Sequence, residues 1–192
     1  MNRLVSIAAM ILALALAPGC AYLVSPPTRP EEPVSVFIAD LGYHASILLP
    51  REPAATAEYA YGHYEWFALN KDDLWRAPGV VLLPGRGTLG RRTLGVPCTR
   101  AALETVVYAE ELLELRVDRS RAESLRRALD GRFDGAGPPV FNAVMGMDFV
   151  PDSRRYWIAH NCNAALVDWL RDLGCTVRGG SLDANFRIVG PR

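Results

Sequence analysis

"AHNCNAALVDWLRDLGC", residues 159–175, decides how the rest of the chain is read. Leu166, Trp169, Leu170 and Leu173 fall at i, i+3, i+4 and i+7, which is one buried stripe along an amphipathic helix, and Gly174 supplies its stop. Asn161 is a good N-cap for that helix. Cys162, four positions before Leu166, lies on the same side in the first turn. Unpaired backbone N–H groups and the macrodipole at a helix N-terminus favour a thiolate. The same amides can hold an oxyanion. Thiol-based acyl chemistry also needs an imidazole within hydrogen-bond reach, and a third group to orient it.

The chain has three histidines, His44, His63 and His160, so the search for that base is short. "VSVFIAD" (34–40) alternates β-branched and aromatic residues and predicts a strand; "HASILLP" (44–50) predicts a second after a turn at 41–43, which puts His44 at a strand start beside the small Ala45 and Ser46. "EYAYGHYEWFAL" (58–69) predicts a third strand, with Tyr59, Tyr61, His63, Glu65 and Phe67 on one face. Glu65 or His63 could then hold the second nitrogen of His44. His160, two residues before Cys162, sits on an extended segment and stays open as the base.

Outward from there, "NKDDLW" predicts a turn or short helix and "GVVLLPG" (79–85) a short strand. "ELLELRVD" (111–118) predicts another strand, then a helix opened by Ser120 with Glu123 as its capping-box partner and closed at Gly131. "GRGTLG" (85–90) spells G-x-G-x-x-G, yet no helix pattern follows, so it reads as a basic loop and not as a phosphate cradle.

The first twenty residues differ from the rest: a short positive start, a nearly unbroken apolar run from Leu4 to Ala17, and "APGC". This is a secretory signal pattern, and the run is short for a membrane span, which takes about 20 residues. The small-small-Cys ending resembles a bacterial lipobox, with Cys20 as the lipidation site and mature N-terminus; simple secretion is the alternative. Residues 21–33, rich in Pro and polar groups, read as an extended tether, and residues 34–192 as one domain. Export to an oxidising compartment makes the remaining thiols, Cys98, Cys162 and Cys175, candidates for disulfides. Cys162 and Cys175 stand about 20 Å apart on one helix and cannot bridge. Cys98 with Cys175 is possible and leaves Cys162 free. Lys plus Arg equals Asp plus Glu, 21 each, so nothing in the charge points to nucleic acid.

The blocks "GYHASILLP", "YAYGHYEWF" and "HNCNAALVDWLRDLG" resemble the domain of unknown function 2459 family of bacterial lipoproteins. Their order is similar to that of circularly permuted papain-like hydrolases of the NlpC/P60 type, related to the lecithin retinol acyltransferase group. The resemblance implies an α+β fold, an antiparallel sheet packed against helices in one papain-like domain. It matches His44 to the family's strand histidine and Cys162 to its helix cysteine, with Glu65 at the acidic position, although "GHYEW" departs from the run expected there. What it implies is transfer or hydrolysis of an amide or acyl group through a Cys thioester, with no cofactor, on an envelope peptide or a lipid-linked acyl substrate. The alternatives are a catalytically silent envelope lipoprotein with a binding or assembly role, and a metal site from His44, His63 and Cys162, which no close ligand spacing supports. Ala21 after Cys20, in place of Asp, is similar to lipoproteins sent on to the outer membrane, which gives the expected location: an outer-membrane lipoprotein facing the periplasm. Mass spectrometry of the protein isolated from its host membranes should find an acylated Cys20 as the first residue; an unmodified start beyond it removes the anchor.

Overall fold

The computed structural model describes residues 21–42, 44–71, 83–181 and 183–190. The expected leader, Cys20, most of "NKDDLW" (70–75) and most of the strand expected at 79–85 lie outside them. Seven strands form one antiparallel sheet in the order β6-β2-β3-β4-β5-β8-β7. They are β2 (Pro33–Asp40), β3 (Ala45–Arg51), β4 (Ala55–His63), β5 (Gly85–Leu94), β6 (Glu111–Asp118), β7 (Val140–Asn142) and β8 (Met147–Tyr156). A three-stranded sheet places β1 (Tyr22–Ser25) between β10 (Phe186–Ile188) and β9 (Thr176–Gly179). The helices are α1 (Arg100–Leu103), α2 (Arg119–Asp134) and α3 (Cys162–Asp172). The domain is α+β, with an antiparallel sheet packed against helices.

Period-two alternation sorts the strand residues between faces. Val36, Ile38, Ile47, Leu49, Tyr59, Tyr61, Leu89, Leu115 and Val150 turn to one face, where they meet Leu125 and Leu129 of α2 and Leu166, Trp169, Leu170 and Leu173 of α3. Removing any of these large side chains costs about 2–5 kcal/mol. The opposite face carries Phe37, Ala39 and Leu48 against Leu103 of α1, and Ala60 and Phe149 against Ala68.

Several sequence expectations change. Residues 22–25 are not tether: Val24 is fully buried in the main core and β1 pairs on both sides. The alternation of "YLVS" and its partners after residue 175 outweigh the prolines that follow. The third strand ends at His63, and Tyr64–Ala68 wind into a π-helical turn that takes Glu65 off the strand. "GRGTLG" is not loop but the start of β5, whose glycines leave room for rings: a Cβ at Gly85 would collide with His63, and one at Gly87 with Tyr61. These glycines run on into the strand through Leu94. Asp118, not Ser120, caps α2 by accepting from the Ser120 N–H, and the helix runs past Gly131 to Asp134. Cys98, Cys162 and Cys175 are all free. Cys98 packs with the α1 side of the sheet and Cys175 with the α3 side, so the sheet itself separates the pair thought able to bridge.

One carboxylate ties α2 to the sheet. Asp130 accepts from Arg51 at 2.7 Å, Arg91 at 2.9 Å, Arg126 at 3.0 Å and the Tyr59 hydroxyl at 2.8 Å. Burial pushes its pKa up, but the bonds from Tyr59 and Arg91 and the charges of Arg51 and Arg91 overcome this and hold it below the usual carboxylate range. Asp130→Asn should cost about 2–3 kcal/mol in urea unfolding at neutral pH. Because the folded-state pKa is depressed, this contribution is present above the unfolded carboxylate pKa and is lost as pH falls through the folded one. The variant should therefore converge with the wild type in acid.

Candidate active site

An antiparallel order brings alternate strand termini to one end. The start of β3, the end of β4, the start of β5 and the end of β8 share that end, and it is where α3 begins. His44, His63 and Tyr156 stand at these termini, and a tight hairpin closed by Trp157 and His160 leads from β8 to Asn161 and Cys162. Chain connection thus delivers all three histidines to the neighbourhood of one cysteine.

Asn161 caps α3 as expected, its Oδ1 accepting from the Ala164 N–H at 3.0 Å. Cys162 follows as the first helical residue and is 6% exposed. Three backbone amides bear on its sulfur: those of Asn163, Cys162 itself and Ala45. The Tyr156 hydroxyl also acts on it, drawing the thiol pKa down. The Ala45 amide is available because the β3–β4 ladder begins only at Ile47↔Tyr59, and on that register Ala45 would face Tyr61. The two strands part, and the sulfur stands at the parting. The thiol also donates to Asn163 Oδ1 at 3.7 Å, while Asn163 Nδ2 donates to the Asp183 carbonyl at 3.0 Å.

Burial pushes the Cys162 pKa up, against the Asn163 amide, the Tyr156 hydroxyl and the amides of Cys162 and Ala45, which pull it down. Burial likewise lowers His44 to about 4. The resting pair is a neutral thiol and a neutral imidazole. His63 is lowered by burial against the nearby charge of Glu65, and His160 by burial and by Arg154.

The structure brings the backbone of His44 to the sulfur through Ala45, but not its ring. That ring lies 4.7 Å from Phe67, which packs with the cluster of Ala60 and Phe149 on the face away from α3. Neither ring nitrogen of His44 has a hydrogen-bond partner among the described residues. Glu65 and His63, expected to hold one of them, do not: Glu65 stands exposed in the π-helical turn, and His63 turns its ring to Tyr156, edge to face at 5.9 Å. His160 stands edge-on to Tyr61 at 5.2 Å, and Tyr61 lies 6.0 Å from Tyr156. His63 Nδ1 and His160 Nε2 are also buried without a partner among the described residues. His44, His63 and Cys162 do not converge as ligands, and no group of three or more His, Cys, Asp or Glu placed to hold a metal occurs among the described residues.

Tyr156 is the site residue that sequence reasoning missed. "RRYWIAH" reads only as extended, and the sole pointer within it is an aromatic hydroxyl six residues ahead of the cysteine, separated from it by a turn. Comparison with protein-family models, with curated proteins and with solved structures found no match to this chain.

His44 is protonated in the unfolded chain below its ordinary value of 6.5 but only near 4 when folded. The unfolded state therefore binds the extra proton between these values, and stability should fall by about 3 kcal/mol as pH drops from 6.5 to 4. Urea midpoints measured across this window should fall less steeply in His44→Phe, which has nothing to protonate.

Proposed function

We propose that the protein is a thiol hydrolase or acyltransferase of the cell envelope, working through a thioester on Cys162. The observation that carries the reading is the surroundings of one sulfur: it opens a capped helix, and three backbone amides and a tyrosine hydroxyl each draw its pKa down, with every histidine of the chain gathered at the same end of the sheet. Amides in such an arrangement stabilise negative charge, first on sulfur and then on the carbonyl oxygen of a tetrahedral intermediate. As the thiol gives its proton to an imidazole, the sulfur attacks the carbonyl carbon. The leaving group departs with that proton, and water or an acceptor alcohol or amine then cleaves the thioester.

His44 is the base in this scheme, in keeping with the resemblance to permuted papain-like hydrolases and with its position one residue before the amide that meets the sulfur. Both of its nitrogens are open to a proton. Substrate must then draw the imidazole from Phe67 toward the parting of β3 and β4. Asn161 holds the helix start, and Tyr156 steadies the thiolate. His63, beside Tyr156, and Glu65, beside His63, act on the site from its rim.

A second reading is favoured by the burial of both Cys162 and His44 and by the unpaired ring: an envelope lipoprotein that retains the fold for binding or assembly. Incubation with a p-nitrophenyl acyl ester, acid quenching and intact-mass measurement separate the two. The hydrolase reading expects one acyl adduct located at Cys162 and absent from Cys162→Ser. Acylation should slow by about 10²–10⁴-fold in His44→Ala, as for loss of a general base, while His63→Ala and His160→Ala change it less. Ester turnover equal in Cys162→Ser and wild type, without an adduct, leaves the binding reading.

A further inference from the structure

The chain enters the fold beside the candidate site. An extended tether over residues 21–33 would span at most about 45 Å, leaving the body free of any anchor. Instead Ala21 is already 8% exposed and Tyr22 opens a strand paired on both sides. Whatever holds residue 20 therefore lies one residue from the folded body. An acylated Cys20 and a retained apolar run, Leu4 to Ala17, both bring hydrocarbon to that point.

The same point is bonded to the site through the segment between β9 and β10. The Tyr22 N–H donates to the Asn185 carbonyl at 2.8 Å, and the Tyr22 hydroxyl to the Ser181 carbonyl at 3.1 Å. From that segment the Asp183 carbonyl accepts from Asn163, next to Cys162, and the Ala184 N–H donates to Gly42, two residues before His44. Asp183 and Asn185 are two residues apart, at most about 7 Å. Entry point and sulfur thus share one end of the molecule. The hairpin between Tyr156 and Cys162 presents Trp157 and Ile158 there, 40% and 43% exposed, a pair suited to the headgroup region of a bilayer.

We propose that this end rests on a lipid bilayer, with the entry of β1 and the Trp157–Ile158 hairpin in the headgroup layer, so that the site takes its acyl or amide group from a membrane lipid and not from a soluble peptide. The substrate assignment rests on the thiol chemistry proposed above; the seating on the bilayer does not.

The test uses the full chain taken from host membranes into vesicles of phosphatidylethanolamine and phosphatidylglycerol, with or without bromine on the acyl chains near the headgroups. Bromination should lower the tryptophan emission of the wild type. The quenched share should shrink in Trp157→Phe and grow in Ile158→Trp. Ala54→Trp, in the exposed turn at the far end of β3, should add emission that bromine leaves untouched. Equal quenching in wild type, Trp157→Phe and Ile158→Trp, quenching of the Ala54→Trp emission, or failure of the protein to stay with the vesicles overturns the proposal. The soluble-ester adduct at Cys162 is measured independently, so loss of the membrane seating and loss of the thiol chemistry register as separate results.

Discussion

The seating of α3 on the sheet governs this molecule. Leu166, Trp169, Leu170 and Leu173 bury against β3 and β4, and that burial fixes where the helix begins. Asn161 then closes the first turn by accepting from Ala164, and the preceding amides of Cys162 and Asn163 draw the thiol pKa down. The parting of β3 and β4 adds the Ala45 amide from the other side. A packed helix, a cap and an interrupted ladder produce a polar cradle inside an apolar core. Its cost is the desolvation of the thiol, and the His44 imidazole on the Phe67 side is desolvated as well.

That cost sets the resting state. A preformed thiolate–imidazolium pair needs the charges to face each other, and here the imidazole is turned to Phe67 while burial keeps both groups neutral. The proposed chemistry begins from a protonated thiol and depends on substrate to bring the base over. Slow chemistry without substrate follows from the same burial, which also protects the sulfur from oxidation.

Much of this was legible in the residues. The stripe and cap of α3 are short-range patterns, and they appear where the spacing puts them, as do the strands at 34–40, 44–50 and 111–118. The errors arose where distant partners override local pattern. "YLVS" is a strand because β9 and β10, some 150 residues later, pair with it. The glycines of β5 look like loop residues until the rings of His63 and Tyr61 are placed over them. Glu65 left the expected strand when the chain turned into a π-helical turn, a local change with no composition signal. Tyr156 could not be chosen from the sequence because its role is created by a hairpin that folds it back onto the cysteine.

The three thiols have a further meaning. Cys98 and Cys175 are held in different layers, and Cys162 sits in its own cradle, so no two of them are joined. The architecture is therefore finished without an oxidant. The folded domain should be equally stable in reducing and oxidising buffer, which makes it accessible to production in a reducing cytoplasm.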